Sequence, residues 1–335
     1  MTILEIAKKL GVSASTVSRA MRNSHQISEK TKKKINDYLK EINFRPNPQA
    51  SSLKRGSSKT IAVVIPDVSN YFFTLALNVI EEIANENNFH VLIYQTHENH
   101  TKEVEIINEL CNGRVDGVII SVVGSLDKNF THIKNLIQFV PVVFFDRVIS
   151  EPGIPAITCK DYESGLKATQ HLIELNCKKI LFIGISEQVS VTKDRLAGYK
   201  KALKNNFLNI KKENILLCEN EALAKESIKK ALIHVKPDAV FSTVERYTLC
   251  LYSACNELFI KIPNDLKIIS FYNSPTAALL SPPLSSISHP AFQMGKLCIE
   301  SLLHKIKRGK EIHAENVTLD CEFDFRESSH SQKQS

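Results

Sequence analysis

A chain of 335 residues, 43% hydrophobic and 24% charged, is globular rather than disordered in composition and is long enough for two or three domains. Its net charge of +7 is unevenly distributed: residues 1–60 contain thirteen Lys or Arg and four Asp or Glu, a balance of +9, so the remainder carries −2. No apolar run reaches the roughly 18 residues of a membrane-spanning helix, and charged residues occupy the amino terminus where a secretory signal would be apolar, so we expect a cytoplasmic protein with no membrane partner.

The basic amino-terminal segment predicts binding to a polyanion, because phosphate neutralisation supplies most of the sequence-independent affinity of proteins for nucleic acids. Charge alone leaves several alternatives open. An RNA or a membrane surface would fit equally, and a solvent-exposed lysine-rich helix around Lys30–Lys34 would need no partner at all.

Three helices are predicted in this segment. Thr2 and Glu5 have the spacing of a capping box, and Gly11 ends the first helix because it tolerates a left-handed backbone. Ser13 can cap the second helix. Two short helices joined by a tight glycine turn are typical of a helix-turn-helix. The helices are expected from residue 3 to the glycine, over residues 14–21 and over residues 28–42.

The run IAKKLGVSASTVSRAM at Ile6–Met21, followed by Asn23 and Ile27–Thr31, closely resembles the DNA-binding headpiece of the LacI/GalR (lactose/galactose-repressor) family. The resemblance continues through Asn43–Lys54, which corresponds to the end of the third helix and the hinge of that family. Further motifs, such as RVDGVI at Arg114–Ile119, extend it over residues 2–328. The resemblance implies a homodimeric transcriptional regulator, most often a repressor, that binds double-stranded DNA at a near-palindromic operator.

The second helix carries short hydroxyl side chains near its amino terminus, and Arg19, one turn further on, can bind a guanine through two hydrogen bonds. By family position, Ala14 and Ser15 read bases, whereas Thr16, Ser18 and Asn23 contact phosphates. In the family, hinge helices insert a leucine into a central minor-groove step, a position that Leu53 and Lys54 match here. The predicted DNA-binding residues are Ser13, Ala14, Ser15, Thr16, Ser18, Arg19, Asn23, Leu53 and Lys54.

After residue 58, apolar runs rich in Val, Ile and Phe alternate with helical patterns, which indicates parallel sheets covered by helices on both faces. The family resemblance implies an α/β periplasmic-binding-protein-like body of two doubly wound subdomains, with crossovers near residues 159, 288 and 319. Strands are predicted at residues 61–66, 90–95, 117–122, 141–145, 179–183, 239–242 and 267–271. The predicted segments are a headpiece over 1–45, a hinge and linker over 46–58, a ligand-binding and dimerisation body over 59–328, and a disordered tail over 329–335.

A ligand is expected between the subdomains, at the carboxyl ends of the parallel strands. Phe72 can stack on a ring, Asp146 can accept hydrogen bonds from hydroxyls, and Arg195 can grip a hydroxyl pair or a carboxylate. Where sugar-binding members usually have Asn-Asp, this chain has Val244-Glu245, and Tyr272 and Asn273 replace a further acidic pattern. These departures argue against a simple hexose and leave two alternatives open, a more apolar, aromatic or modified ligand, or no effector at all. The predicted effector-binding residues are Phe72, Asp146, Arg195, Val244, Tyr272 and Asn273.

Two other classes of protein were weighed. A solute receptor with the same body would need an export signal and would have no use for residues 1–56. An enzyme lacks support, because the histidines have no nucleophile or metal-ligand spacing and neither GxGxxG nor GxxxxGK[ST] occurs; His97 and His100 are interpreted as part of a polar loop. The 8 cysteines form no CxxC pair, so no zinc site or disulfide framework is expected. We therefore predict no catalytic residue, no metal and no cofactor.

Overall fold

The computed structural model describes residues 1–44, 57–124, 130–149, 151, 153–218, 221–308 and 316–330. Two compact units make up the chain, Met1–Ser58 and Lys59–Ser335. Among the described residues, no helix combines the length and the apolar character that crossing a membrane requires. The predicted hinge residues Leu53 and Lys54 lie outside the described residues.

The amino-terminal unit is a three-helix headpiece. Its helices are α1 (Ile3–Leu10), α2 (Ala14–Met21) and α3 (Glu29–Glu41). The predicted capping box is present: the Thr2 N–H donates to Glu5 Oε2 at 2.8 Å, and the Glu5 N–H donates to Thr2 Oγ1 at 3.3 Å. One fully buried side chain from each helix meets the other two in the core, namely Ile6, Val17 and Ile35.

The body contains two subdomains, each built on a six-stranded sheet. The elements of the first subdomain are β1 (Thr60–Ile65), α4 (Tyr71–Glu86), β2 (His90–Gln95), α5 (His100–Leu110), β3 (Gly117–Ile120), α6 (Thr131–Phe139), β4 (Val142–Phe145), β5 (Ala156–Cys159), α11 (Ala291–Arg308) and β11 (Val317–Leu319). The strand order is β11-β5-β4-β3-β1-β2, with every neighbouring pair parallel. Helices α4 and α11 cover one face, and α5 and α6 cover the other.

The second subdomain repeats this plan. Its elements are α7 (Asp161–Glu174), β6 (Ile180–Gly184), α8 (Ser190–Asn205), β7 (Ile215–Leu217), α9 (Ala224–Val235), β8 (Ala239–Ser242), α10 (Glu245–Glu257), β9 (Lys267–Phe271), β10 (Ser285–Ser288) and β12 (Glu322–Asp324), with short 3-10 turns at Lys212–Asn214, Glu221–Leu223 and Pro275–Leu279. The strand order is β12-β10-β9-β8-β6-β7, and only the β10–β12 pair is antiparallel. Helices α7 and α8 cover one face, and α9 and α10 cover the other. The predicted fold class, two doubly wound parallel-sheet subdomains behind a helical headpiece, is confirmed.

Three passages of chain join the two subdomains. The chain leaves the first sheet after Cys159, returns to the first subdomain after Ser288, and passes back to the second sheet after Leu319. Residues that follow β4 of the first sheet and β8 and β9 of the second line one cleft, so the carboxyl ends of these strands face each other there.

The prediction of a disordered tail over residues 329–335 is wrong at its start. Ser329 is fully buried, and its hydroxyl lies 2.7 Å from Ser285 Oγ and 2.9 Å from His171 Nε2. The polar composition that suggested disorder instead supplies hydrogen bonds that fix this segment on the second subdomain. Residues 331–335 lie outside the described residues.

Candidate DNA-binding surface and ligand cleft

Helix α2 of the headpiece has one buried face and one face of small polar side chains. Val17 and Ala20 are buried in the headpiece core, whereas Ser13, Ser15 and Arg19 are exposed. The periodicity of a helix places Ser15 and Arg19 on the side opposite Val17 and Ala20, and Ser13 is exposed as the N-cap. The exposed side therefore offers hydroxyls and one guanidinium to an approaching partner.

The hydroxyl groups at the start of α2 are held together. Ser13 Oγ accepts from the Thr16 N–H at 3.1 Å, and it lies 2.7 Å from Ser15 Oγ and 2.8 Å from Thr16 Oγ1. Ala14 and Ser18 are half-buried beside them, and Asn23 is exposed just beyond the helix. The headpiece residues predicted to bind DNA thus lie on α2 or next to one of its ends, and their contacts with DNA stay a prediction.

The body has a cleft between its subdomains, with a volume of about 500 Å³ including its open mouth. The lining comes from the start of α4, the segments after β4, β8 and β9, and one face of α8. The lining residues are Asn70, Phe72, Phe73, Asp146, Arg147, Ile185, Val191, Thr192, Arg195, Thr243, Val244, Glu245, Phe271, Asn273 and His289. The structure therefore brings Phe72, Asp146, Arg195, Val244 and Asn273 together, as the sequence predicted for a shared cleft, while their binding roles stay predictions.

Asp146 presents the carboxylate that is most available to a ligand. It sits in a tight turn directly after β4, with φ +64° and an Arg147 N–H that donates to the Phe145 carbonyl at 2.7 Å. Asp146 lines the cleft at 7% exposure, and its closest cation in the described chain is Arg147, at 3.8 Å. Burial raises the pKa of the Asp146 carboxyl above its ordinary value. A hydrogen-bond donor on a ligand would compensate for that desolvation.

Arg195 is already bound to protein groups. Its Nε donates to Asp161 Oδ1 at 2.6 Å, its Nη1 donates to the Thr243 carbonyl at 2.8 Å, and its Nη2 lies 2.8 Å from His289 Nε2. The guanidinium also stacks on Phe271, with its central carbon 3.6 Å from the ring centroid. The side chain is buried, so its ion pair with Asp161 is shielded from solvent. Through these contacts, Arg195 stabilises the wall of the cleft.

His289, in the passage from β10 to α11, connects the two subdomains within the cleft. Its Nδ1 lies 3.0 Å from Asn273 Oδ1, and the Asn273 side-chain amide donates to the His289 carbonyl at 2.8 Å. Its Nε2 faces Arg195 and lies 3.9 Å from Asp161 Oδ1. Burial lowers the pKa of the His289 imidazole, but Cys321 and Asp161 outweigh burial and hold that pKa above its ordinary value. The ring also packs on Phe72 of the first subdomain, with centroids 4.7 Å apart. In the sequence, only its position next to a predicted crossover sets this residue apart.

Tyr272 is predicted from sequence to bind the effector, and the structure corrects this prediction because Tyr272 does not line the cleft. Its side chain is only 3% exposed and lies in the apolar core beneath α10, with its hydroxyl 3.1 Å from Thr276 Oγ1. Successive residues at a strand end point to opposite faces. Phe271 therefore faces the cleft in its place.

Glu245 follows Val244 at the start of α10, but its carboxylate is also engaged by the protein. It accepts from the Asn273 N–H at 3.2 Å. Burial raises the pKa of Glu245, and backbone N–H groups oppose that rise. Val244 contributes an apolar patch with 9% exposure. The replacement of Asn-Asp by Val-Glu thus removes two polar groups that a ligand could have used.

Two further arginines near the cleft, Arg147 and Arg246, form ion pairs with carboxylates. Arg147 donates to both oxygens of Glu98, at 2.6 and 3.0 Å. Arg246 Nη1 on α10 lies 3.8 Å from Asp67 Oδ2 of the first subdomain, which is an ion pair across the cleft. None of these pairs was predicted, because their partners are far apart in sequence.

Comparison with known proteins accounts for both units. The model of bacterial regulatory proteins of the lacI family matches residues 2–47, and the model of the periplasmic binding protein-like domain matches residues 169–329. Catabolite control protein A of Staphylococcus xylosus is 31% identical over 331 residues, which cover 97% of this chain and 98% of that protein.

Solved structures agree on the fold. The complex of the transcriptional regulator CelR with cellobiose has a TM-score of 0.72 at 21% identity, covering 98% of this chain and 99% of that one. A periplasmic binding protein/LacI transcriptional regulator of Alkaliphilus metalliredigens QYMF, in complex with D-xylulofuranose, has a TM-score of 0.70 at 27% identity, covering 82% of this chain and 100% of that one.

Proposed function

Because the chain belongs to the lacI family of bacterial regulatory proteins, we propose that it is a homodimeric repressor that binds a near-palindromic operator under the control of a small molecule in the cleft. The observation that carries this proposal is the exposed hydroxyl and guanidinium face of α2, within the headpiece that the family model matches. A helix of this kind enters a major groove with its amino-terminal residues against base edges.

Arg19 is the residue proposed to read a base, and its exposure leaves the guanidinium free to approach a guanine. A two-fold dimer places two such helices about one DNA turn apart, so the operator should have near-palindromic half-sites. Leu53 and Lys54 are proposed to contact the minor groove between them, as their family position implies.

The test of regulation begins with selection of binding sites from random duplexes by the full chain. The motif obtained is then placed between a promoter and a reporter gene, and the protein is co-expressed. We expect reporter expression to fall, to recover with Arg19→Ala, and to stay low with Arg22→Ala, which removes the same charge from the exposed end of α2. An increase in reporter expression would contradict repression, and a motif without two-fold symmetry would contradict the dimer.

For the effector, we propose a neutral, hydroxylated small molecule with an apolar or aromatic portion. Asp146 offers an acceptor for hydroxyls, and Phe72, Val244 and Phe271 give the cleft an apolar part of its lining. Arg147 and Arg195 are paired with Glu98 and Asp161, so an anionic ligand would have to break an existing ion pair. The sugars bound to the two solved relatives belong to the same hydroxylated class.

The effector proposal is tested by calorimetry of the full chain with phenyl β-D-glucoside and methyl β-D-glucoside as probes. We expect the phenyl compound to bind more tightly, and Asp146→Asn to weaken it. Asp320→Asn, at a carboxylate whose side chain is 80% exposed, is the matched control. Equal binding of the two glucosides would contradict the aromatic part of the proposal, and tighter binding of the corresponding sugar phosphate would contradict a neutral ligand.

A further inference from the structure

Two histidines and a glutamate that do not line the cleft meet on the first subdomain. The ligand-type atoms of His100, Glu103 and His132 all lie within 4.8 Å of one another. Glu103 is fully buried, His132 is 6% exposed, and His100 is half-buried. Among the described residues, no other group of three or more His, Cys, Asp or Glu side chains has its ligand-type atoms this close together.

The fold explains how these residues come together. His100 is the first residue of α5, and Glu103, three positions later, lies on the same side of that helix. His132 is the second residue of α6, which packs beside α5 on one face of the first sheet. Two helix starts thus direct three side chains to one point, although 29 residues separate Glu103 from His132.

The carboxylate at the centre is already held in place. Glu103 Oε2 accepts from the Val123 N–H at 2.6 Å, and Oε1 lies 2.9 Å from His132 Nε2. The rings of His100 and His132 are nearly perpendicular, at 82°, with centroids 5.1 Å apart. A carboxylate oriented by a backbone N–H, next to two imidazoles, is a common arrangement for metal ligands and the groups that orient them.

We propose that His100, Glu103 and His132 bind a divalent transition-metal ion, with Zn²⁺ as the best match. Two neutral imidazoles and one carboxylate are donors that zinc accepts, and three protein ligands leave the fourth tetrahedral position for water. Zinc bonds of about 2.0 to 2.1 Å place neighbouring ligand atoms roughly 3.3 Å apart. The cluster therefore needs to contract by at most about 1.5 Å, which rotation of the half-buried His100 side chain can supply.

The surrounding charge permits a cation. Arg147 is the positive group that interacts with Glu103 from the neighbouring segment, and its charge is offset by the two hydrogen bonds to Glu98. The ion would share the Glu103 carboxylate through Oε1, while Oε2 keeps the Val123 N–H.

The site would bear on the geometry of the body. Val123 is followed by Gly124, where an added Cβ would lie 2.8 Å from the carbonyl oxygen of Gln188 in the second subdomain. A metal ion on Glu103 therefore fixes the segment at which the first subdomain approaches the second. The proposal departs from the expectation, drawn from sequence, that the chain binds no metal.

The test is a zinc titration of the tag-free, chelator-treated full chain in competition with a chromophoric chelator. We expect one tight equivalent per chain, and affinity at least about 100-fold lower in His132→Ala and in Glu103→Gln. Gln at position 103 can still accept from the Val123 N–H, so this variant should keep its circular dichroism spectrum. His304→Ala, at an exposed position of α11, is the histidine control and should bind zinc as the parent does.

Cobalt provides an independent measurement, because tetrahedral Co²⁺ absorbs strongly in the visible range. We expect such a band in the parent chain and its loss in Glu103→Gln and His100→Ala. Absence of a tight zinc equivalent in the parent chain would overturn the proposal. Equal zinc affinity in the parent, Glu103→Gln and His132→Ala would overturn it too, because the ion would then be bound elsewhere.

Discussion

Replacement of Arg195 by Met should destabilise the body far more than loss of a ligand contact would imply. Asp161 is 4% exposed, and Arg195 is its ion-pair partner at 2.6 Å. Burial alone would raise the pKa of Asp161, but Arg195 and His289 outweigh burial and lower it. Removal of the guanidinium leaves a buried carboxylate whose remaining cationic neighbour would be a protonated His289, 3.9 Å away.

Breaking a buried pair by removing one partner costs about 3 to 5 kcal/mol, because the other charge stays buried. The Thr243 carbonyl also loses a donor, so we expect the upper part of that range. The corresponding fall in the thermal midpoint is on the order of 10 °C for a chain of this size.

The measurement is urea unfolding of the full chain at pH 7.5, with Arg195→Met compared with the double variant Asp161→Asn/Arg195→Met. The double variant should recover at least about 2 kcal/mol, because it removes the buried charge as well. The deficit of the single variant should shrink as the pH falls towards 5, since protonation of Asp161 then neutralises the unpaired group. If Arg195→Met lost less than about 1 kcal/mol of unfolding free energy, or if the double variant were as unstable as the single one, the structural role of Arg195 would be refuted.

Three further outcomes follow from the body. Gly198→Ala should destabilise it by about 1 to 3 kcal/mol in urea unfolding, because an added Cβ would lie 2.6 Å from Leu166 N and closer still to the Tyr162 carbonyl; a neutral substitution would show that α7 and α8 can separate freely. Burial lowers the pKa of His171 to about 4, so the stability that its neutral form contributes is complete above pH 6.5 and is lost as the pH falls towards 4. His171→Gln should reduce the loss of unfolding free energy over this pH range by about 1 kcal/mol after solvent screening. An unchanged pH dependence in the variant would show that another group causes the loss. Free glucose, galactose and ribose should bind only at millimolar concentration in calorimetry, because each sugar hydroxyl without a partner costs about 1 to 3 kcal/mol. Micromolar binding that Asp146→Asn leaves intact would contradict the proposed role of Asp146 as the acceptor for ligand hydroxyls.

Most strands with apolar sequences could be predicted, and the polar strands at the sheet edge could not. All seven predicted strands are present, since continuous apolar runs are typical of buried strands. The exception in burial is β2 at the edge of the first sheet, where Leu92 and Ile93 are exposed. The segments Ser285–Ser288 and Glu322–Asp324 have no such pattern, and they are strands because they pair with each other and with β9 at the sheet edge. Pairing of this kind depends on tertiary structure.

The same distinction applies to the site. Phe72 and Asp146 could be placed in the cleft because residue type and position in the chain suffice for them. Arg195 is engaged by Asp161, which is 34 residues away in the sequence, and such a contact depends on tertiary structure. The orientation of Tyr272 depends on which face of the sheet its side chain points to directly after β9. Sequence identified five residues that line the cleft, but it misplaced Tyr272, missed His289 and did not show which polar groups are engaged by the protein.

Sequence-specific DNA binding through α2 is the central claim, and the ratio of affinities for a selected operator and a scrambled duplex of equal length tests it most directly. Fluorescence anisotropy at one fixed salt concentration gives this ratio for the parent chain, Arg19→Ala and Arg22→Ala, since affinities without a stated salt concentration cannot be compared. We expect a large ratio for the parent and for Arg22→Ala, and a ratio reduced by about 1 to 3 kcal/mol in Arg19→Ala, with binding to the scrambled duplex changed much less. Equal affinity of the parent for both duplexes, or an equal loss on both in Arg19→Ala, would contradict it.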